Sequence, residues 1–212
     1  LVGSEMCIRD SNFIEDYEIS FMIVFIVLVT LLILYIVYEN HTRNKELLKY
    51  AQTDALTGLY NKETTEQLTD ELLSEDENKY HAFLILDVDC FKQINDIYGH
   101  AVGDIVLQKF GKLLKGTFRE GDILGRIGGD EFGVIMKNIQ TKDIAMKKAE
   151  ELLAKTQAYK IDELKGNNIS ISIGISTAPQ DGDCYMDLYK RADQALYQAK
   201  RSGKARVCNY FS

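Results

Sequence analysis

A chain of 212 residues with 46% hydrophobic and 27% charged content is long enough for one ordinary globular domain plus an appendage, and too apolar to be disordered throughout. Its net charge of −7 excludes a nucleic-acid backbone as the main partner, because that partner needs a basic footprint. It still admits a small nucleotide whose charge is met by a metal and a few lysines. The four cysteines, Cys7, Cys90, Cys184 and Cys208, have no C-x-x-C spacing, and His41, His81 and His100 form no ligand pattern. Reduced thiols, not a zinc site, are expected.

Residues 1–18 begin with Leu in place of Met and are read as a non-native or fragmentary N-terminal segment, with any preceding sensor missing. Ile19 to Tyr38 then carries no charge. As a helix it would be about 30 Å long, the thickness of a bilayer core. A buried core helix seldom runs so long without a polar face, and no bracketing basic stretch and cleavage site mark a signal peptide. Residues 19–38 are therefore a predicted transmembrane helix. Glu15, Asp16 and Glu18 precede it, and Arg43, Lys45 and Lys49 follow it. This asymmetry puts everything C-terminal on the cytoplasmic side of a cell membrane. Residues 39–53 read as a helical linker, with Leu47, Leu48 and Ala51 at helical spacing and a weak tendency to pair with a second copy.

Residues 54–212 form the predicted catalytic domain. Gly58 breaks the linker pattern, and residues 61–75 read as a helix. Residues 81–87 are a buried-strand run. Residues 102–118 have the apolar spacing of an amphipathic helix. Residues 122–127 and 131–136 read as hairpin strands about a glycine turn. A helix over 141–158 and a strand over 169–175 follow, the latter alternating Ile and Ser until Gly174 interrupts it. A helix over 184–201 and an edge strand over 205–210 complete the domain. The order β-α-β-β-α-β predicts an α+β fold. It is a ferredoxin-like or palm-type antiparallel sheet flanked by helices, here placed on one face, and preceded by one transmembrane helix.

The chemistry concentrates at strand ends. Arg126-Ile127-Gly128-Gly129-Asp130-Glu131-Phe132 puts two adjacent carboxylates on a turn whose glycines let backbone approach a phosphate. Asp87 ends the first strand, which this fold lays beside the hairpin, so Asp87 and Asp130 meet across neighbouring strands. Facing carboxylates repel unless a divalent cation lies between them, and Mg²⁺ suits carboxylate, phosphate and water oxygens. Amides at residues 90–92, including Phe91, and the cation of Lys92 are candidate phosphate ligands. Lys200 and Lys204, four apart near the end of the last helix, either face one ligand or complement a helix C-terminus. Asn95 and Asp104 either read a base edge or form turns.

Four stretches together resemble the GGDEF family of diguanylate cyclases, over roughly Gln52 to Phe211. They are Asp54-x-Leu56-Thr57-Gly58-Leu59-x-Asn61; Asp87-x-Asp89-x-Phe91-Lys92-x-Ile94-Asn95-Asp96-x-Tyr98-Gly99-His100-x-x-Gly103-Asp104; Gly128-Gly129-Asp130-Glu131-Phe132; and Ala192-Asp193-x-Ala195-Leu196-Tyr197-x-Ala199-Lys200. The resemblance implies condensation of two GTP into cyclic di-GMP with release of pyrophosphate, at a site completed only when two subunits face each other. It implies Mg²⁺, with Mn²⁺ as an alternative, held by Asp87, the Val88 carbonyl and Asp130. Glu131 is then a further ligand or base, and Asp130 and Glu131 are the catalytic acids. Asn95 and Asp104 would contact guanine, with His100 nearby. Lys92, Lys200, Lys204, Phe91, Gly128 and Gly129 would surround the phosphates. The family often has Arg where this chain has Lys204, so the bidentate fork is lost there. Arg119 and Asp122 resemble an R-x-x-D inhibitory site for the product, against an exposed charged turn. The expected protein is a homodimer in a bacterial cytoplasmic membrane, anchored in the lipid bilayer through residues 19–38. The alternatives are a catalytically silent GTP or cyclic di-GMP binding module, and a cyclase of different base choice.

Overall fold

The computed structural model describes residues 2–75 and 79–210, with side chains at all of these except 2–19 and 44–50. The chain divides into two units, Leu1–Ala51 and Gln52–Ser212. Helix α1 runs Val2–Gln52 without a break, joining the expected membrane and linker helices and extending through the N-terminal segment that the sequence left without structure. No proline and no glycine after Gly3 interrupts that stretch, so nothing local ends the helix. Its segment Ser20–Arg43 is long and apolar enough to cross a membrane, and its side chains are exposed throughout. The hydroxyls of Thr30 and Thr42 donate to the Val27 and Tyr38 carbonyls of the same helix. Polar atoms in an apolar stretch are thereby satisfied without water. The acidic flank Glu15, Asp16 and Glu18, the basic Lys45 and Lys49, and Leu47 and Leu48 lie, as side chains, outside the described residues.

The second unit is built on one sheet. Its elements are α2 (Lys62–Glu75), β1 (His81–Val88), α3 (Phe91–Tyr98), α4 (His100–Thr117), β2 (Ile123–Gly128), β3 (Glu131–Met136), α5 (Lys142–Ala158), β4 (Lys160–Ile161), β5 (Asn167–Asn168), β6 (Ile171–Ala178), α6 (Tyr185–Arg201) and β7 (Val207–Asn209). The sheet order is β2-β3-β1-β6-β7, and β4 and β5 form a separate small hairpin. β1 sits centrally, antiparallel to β3 and β6, and all eight of its residues are buried.

Burial on both faces corrects two expectations. Leu84, Leu86, Phe132 and Val134 pack against Phe110 and Leu114 of α4 and Leu152 of α5. Phe83, Ile85 and Ile135 point the other way, onto Leu72 and Leu73 of α2 and Leu188, Ala192 and Leu196 of α6. Helices therefore cover both faces, as the unbroken apolar run of β1 demands. The sheet is also mixed, not antiparallel, because β7 pairs with β6 in parallel. Strands joined through a helix, here α6, can run parallel, which a short hairpin loop forbids. Gly174 does not end its strand: β6 continues to Ala178. The helix α3 was not foreseen. It has eight residues and none is fully buried, so its apolar period is short.

Candidate active site

Three chain reversals bring the acids together. β1 and β3 pair with Asp87 opposite Glu131, and the Val88 amide donates to the Asp130 carbonyl at 3.3 Å. The turn between β2 and β3 is Gly129-Asp130, with Gly129 at φ 48°, a conformation glycine adopts at little cost. Asp87 is buried, and its Oδ2 lies 2.7 Å from Lys200 Nζ. The expected juxtaposition of β1 with the signature turn is therefore present, and Lys200 of α6 reaches the same point.

Burial pushes the Asp87 carboxyl above its ordinary value against the pull of Lys200, and the charges of Asp130 and Asp89 add to the rise. Burial also raises Glu131, with repulsion from Asp87, opposition from Lys200, and further repulsion from Asp193 and Asp130. Oxygen donors crowded in this way suit a hard divalent cation, which relieves the repulsion. Asp87, the Val88 carbonyl and Asp130 are the residues that would hold it, with Glu131 beside them as a further ligand or a base. The one group of three metal-capable side chains within 4.8 Å of one another among the described residues is elsewhere, at Asp183, Cys184 and Asp187. Asp87 and Glu131 are held together instead by strand register.

These shifts have a sign. A carboxyl raised by folding costs no stability below its unfolded pKa, ordinarily 3.8 for Asp87 and 4.5 for Glu131, and an increasing amount as pH climbs through the folded value. Glu131→Gln is therefore expected to raise the melting temperature of the metal-free protein near neutrality and to leave it unchanged below about pH 4. MgCl₂ should stabilise the wild type over the same range. Thermal melts at both pH values check this.

The basic side of this cluster is formed by α3 and the loop after α6. Cys90 caps α3 from the left-handed region (φ 59°), and its carbonyl accepts from Gln93 and Ile94. Phe91 and Lys92 thus occupy the first helical turn, where backbone N–H groups lack intrahelical partners and attract anions. They were read as loop residues, so the amides survive with a different origin. Lys204 is not on the last helix. α6 ends at Arg201, and Lys204 sits beyond it at φ 60°. Its Nζ lies 3.2 Å from Cys90 Sγ, so both lysines face the end of β1, though not through helical spacing.

Helices α3 and α4 pack closely where Asn95 and Phe91 meet Gly103. The Asn95 amide oxygen is buried without a hydrogen-bond partner. Gly103 makes room for it, since a Cβ there would fall 1.9 Å from that oxygen. Asp104 and His100 are exposed on α4. Asn95 and Asp104 are thus helical, not turn formers. A buried acceptor without a partner is costly, and a ligand with N–H donors is one way to satisfy it.

Arg119 and Asp122 lie apart from this cluster. Asp122 is buried and accepts from the Arg119 and Lys137 amides and from Arg119 Nε at 3.2 Å. Arg119 also donates to the Lys137 carbonyl.

Sequence reading missed two supports. Arg126 donates through Nε and Nη2 to the Gly129 carbonyl at 3.0 and 2.8 Å, and through Nη1 to both Asp54 oxygens at 3.2 and 3.1 Å. Partial burial would raise Asp54, but donation from the Thr57 hydroxyl and amide, with Arg126 opposite, holds it below its ordinary value. The segment after α1 is thereby fastened to the signature turn. Asp89 is the second: its carboxylate is buried and accepts from the Ser170 and Ser172 hydroxyls. Both residues stood inside quoted motifs, but nothing in their spacing marked a partner 72 or 81 positions away.

The family model described as "Diguanylate cyclase, GGDEF domain" matches residues 51–206. Diguanylate cyclase A of Treponema denticola is 37% identical over 170 residues, covering 77% of this chain and 46% of that protein. The chain spans about half the length, or less, of the curated relatives it matches. Among solved structures, the GGDEF domain of TpbB from Pseudomonas aeruginosa superposes with TM-score 0.71 at 33% identity, covering 75% of this chain and 94% of that one. The GGDEF domain of DgcB from Caulobacter crescentus, in complex with c-di-GMP, gives 0.70 at 27% identity, covering 76% and 94%.

Proposed function

The chain belongs to the GGDEF diguanylate cyclase family, and we propose that it condenses two molecules of GTP into cyclic di-GMP with release of pyrophosphate. One observation carries this reading. The end of β1, the Gly128–Glu131 turn, the first turn of α3, Lys200 and Lys204 converge, and the Asn95 amide oxygen on the same helix α3 is buried without a partner. Guanine supplies the paired donors, with Asn95 and Asp104 facing its edge and His100 beside it. Lys92, Lys200 and Lys204 and the amides of α3 balance the triphosphate. The glycines at 128 and 129 let it lie against the turn.

The 3′-hydroxyl of one GTP attacks the α-phosphorus of the other, the new P–O bond forms as the bond to pyrophosphate breaks, and the reciprocal attack closes the ring with loss of a second pyrophosphate. Glu131 accepts the hydroxyl proton. Mg²⁺, or Mn²⁺ in its place, held by Asp87, Val88 and Asp130, would supply charge stabilisation for the phosphoryl oxygens. One domain offers one nucleotide site, so two copies must face each other. A silent binding module is the weaker reading, because Asp87, Asp130 and Glu131 are all retained. The Ser20–Arg43 stretch supports a bilayer anchor, with Gln52–Ser212 in the cytoplasm of a bacterium.

The test is to incubate the purified chain, in detergent, with GTP and MgCl₂ and follow product by chromatography. Cyclic di-GMP and pyrophosphate should appear, with turnover rising faster than linearly with enzyme at low concentration. GTP binding without product would favour the silent module. Strict proportionality at every dilution would count against a shared two-subunit site.

The feedback site we assign to Arg119. It is exposed beside a cavity of about 520 Å³ that Lys148 also lines, and Asp122 orients its guanidinium. Arg119→Ala is expected to raise the cyclic di-GMP concentration that halves activity by about tenfold, the worth of a charge-assisted hydrogen bond. An unshifted inhibition curve would remove the assignment.

A further inference from the structure

We propose that Asp89 is a positioning residue that sets Lys204 against the triphosphate, an inference that rests on Lys204 being a phosphate ligand. Asp89 follows two residues after Asp87 at the end of β1, and its carboxylate is fully committed within the protein. Asp89 is 7% exposed. Its Oδ1 accepts from the Ser172 hydroxyl at 2.7 Å, and its Oδ2 from the Ser170 hydroxyl at 2.7 Å and the Ala205 amide at 3.1 Å. Its own amide donates to the Ser170 carbonyl at 2.9 Å. Donors thus converge on both oxygens from β6, the residue ahead of it, and the loop after α6. The Ile/Ser alternation acquires a reason: its isoleucines enter the core while Ser170 and Ser172 anchor this carboxylate.

The loop needs an anchor. Gly203, Lys204 and Ala205 all have positive φ, at 109°, 60° and 51°. Two successive non-glycine residues there are strained and persist only where the surroundings over-determine them. The Lys204 amide donates to the Ala199 carbonyl at 3.0 Å, which fixes one side of the reversal. The charge-assisted bond from Ala205 to Asp89 fixes the other. Between these pins the Lys204 side chain turns back toward Cys90 and the first turn of α3. A loop released from Asp89 would let that side chain swing into solvent, at the position where the family often carries an arginine.

The experiment compares binding of a GTP analogue bearing sulfur at the α-phosphate with binding of GMP, by calorimetry on the full chain in detergent. Asp89→Asn keeps shape but disturbs the donor set. It should weaken the triphosphate analogue about tenfold and leave GMP unchanged, because Lys204 meets only the distal phosphates. Lys204→Ala should do the same, and the double variant should bind no more weakly than Lys204→Ala alone. Ser170→Ala, which loosens the carboxylate without removing it, should give a smaller loss in the same direction and guards against a misfolded Asp89→Asn. Equal weakening of GMP and triphosphate, or effects that multiply in the double variant, would overturn the proposal. If Lys204→Ala alone changes nothing, the phosphate reading of Lys204 fails and takes the inference with it. If Lys204→Ala weakens binding while Asp89→Asn and Ser170→Ala do not, the inference alone fails.

Discussion

Asp130→Ala is expected to lower cyclic di-GMP formation by about a thousandfold or more while the protein stays folded. A bound divalent ion is worth several kcal/mol of charge stabilisation at a phosphoryl group, and about 1.4 kcal/mol is a factor of ten in rate. Asp130 stands at the tip of the β2–β3 turn, half-exposed and outside both core clusters. Its link to β1 is through its backbone carbonyl, which alanine keeps. The turn is also fastened from outside by Arg126 on the Gly129 carbonyl. Removing the carboxylate therefore subtracts a ligand and little else. It also removes a charge that repels Asp87 and Glu131, so the metal-free variant should melt no lower than the wild type, and slightly higher near neutrality. A dead enzyme with unchanged or raised melting temperature is the expected pair of readings from product chromatography and a thermal melt. Wild-type turnover by Asp130→Ala would sink the metal reading. Asp87→Ala should be equally inactive but less clean, since it strips Lys200 of its ion-pair partner.

How much was legible follows from what each signal depends on. Helices α2, α4, α5 and α6 and strands β1, β2, β3 and β6 stood within a few residues of their expected places, because core contact imposes a period on the sequence. The meeting of β1 with the signature turn followed from strand order alone. The edge strand β7 was legible but its parallel direction was not: three residues carry no direction, and only the route through α6 sets it. α3 escaped because it is only eight residues long: Phe91, Ile94 and Tyr98 pack against the core, but three half-buried positions are too few to establish a period. Arg126–Asp54 and Asp89–Ala205 escaped because long-range polar pairs leave no period. What sequence reading got wrong about Lys204 is instructive. The i, i+4 argument put it beside Lys200 on a helix, whereas a strained reversal puts it there off the helix.

Gly174 tests whether the helix that carries Lys200 is set by backbone contact. The sequence suggested a glycine that breaks a strand; the structure makes it the point where α6 lies on the sheet. A Cβ at 174 would fall 2.1 Å from the Ala192 carbonyl oxygen, 2.4 Å from the Leu196 amide nitrogen and 2.9 Å from Leu196 Cα. All three are main-chain atoms inside a helix, so no rotamer change can relieve the clash, and a close-packed interior transmits the displacement. Gly174→Ala is therefore expected to lose about 3 kcal/mol, the upper part of the range for overpacking. Because α6 must move as a body, Lys200 should lose its 2.7 Å contact with Asp87, and GTP turnover should fall with stability. Gly116→Ala is the control with the opposite sign. Gly116 lies in α4 with nothing within 4 Å of its would-be Cβ, so alanine should add about 0.5–1 kcal/mol by favouring the helix. Denaturant titrations of the two variants check both signs. A Gly174→Ala protein as stable as the wild type would mean that α6 is not seated on β6 through its backbone, and the route from that contact to Lys200 would fall with it.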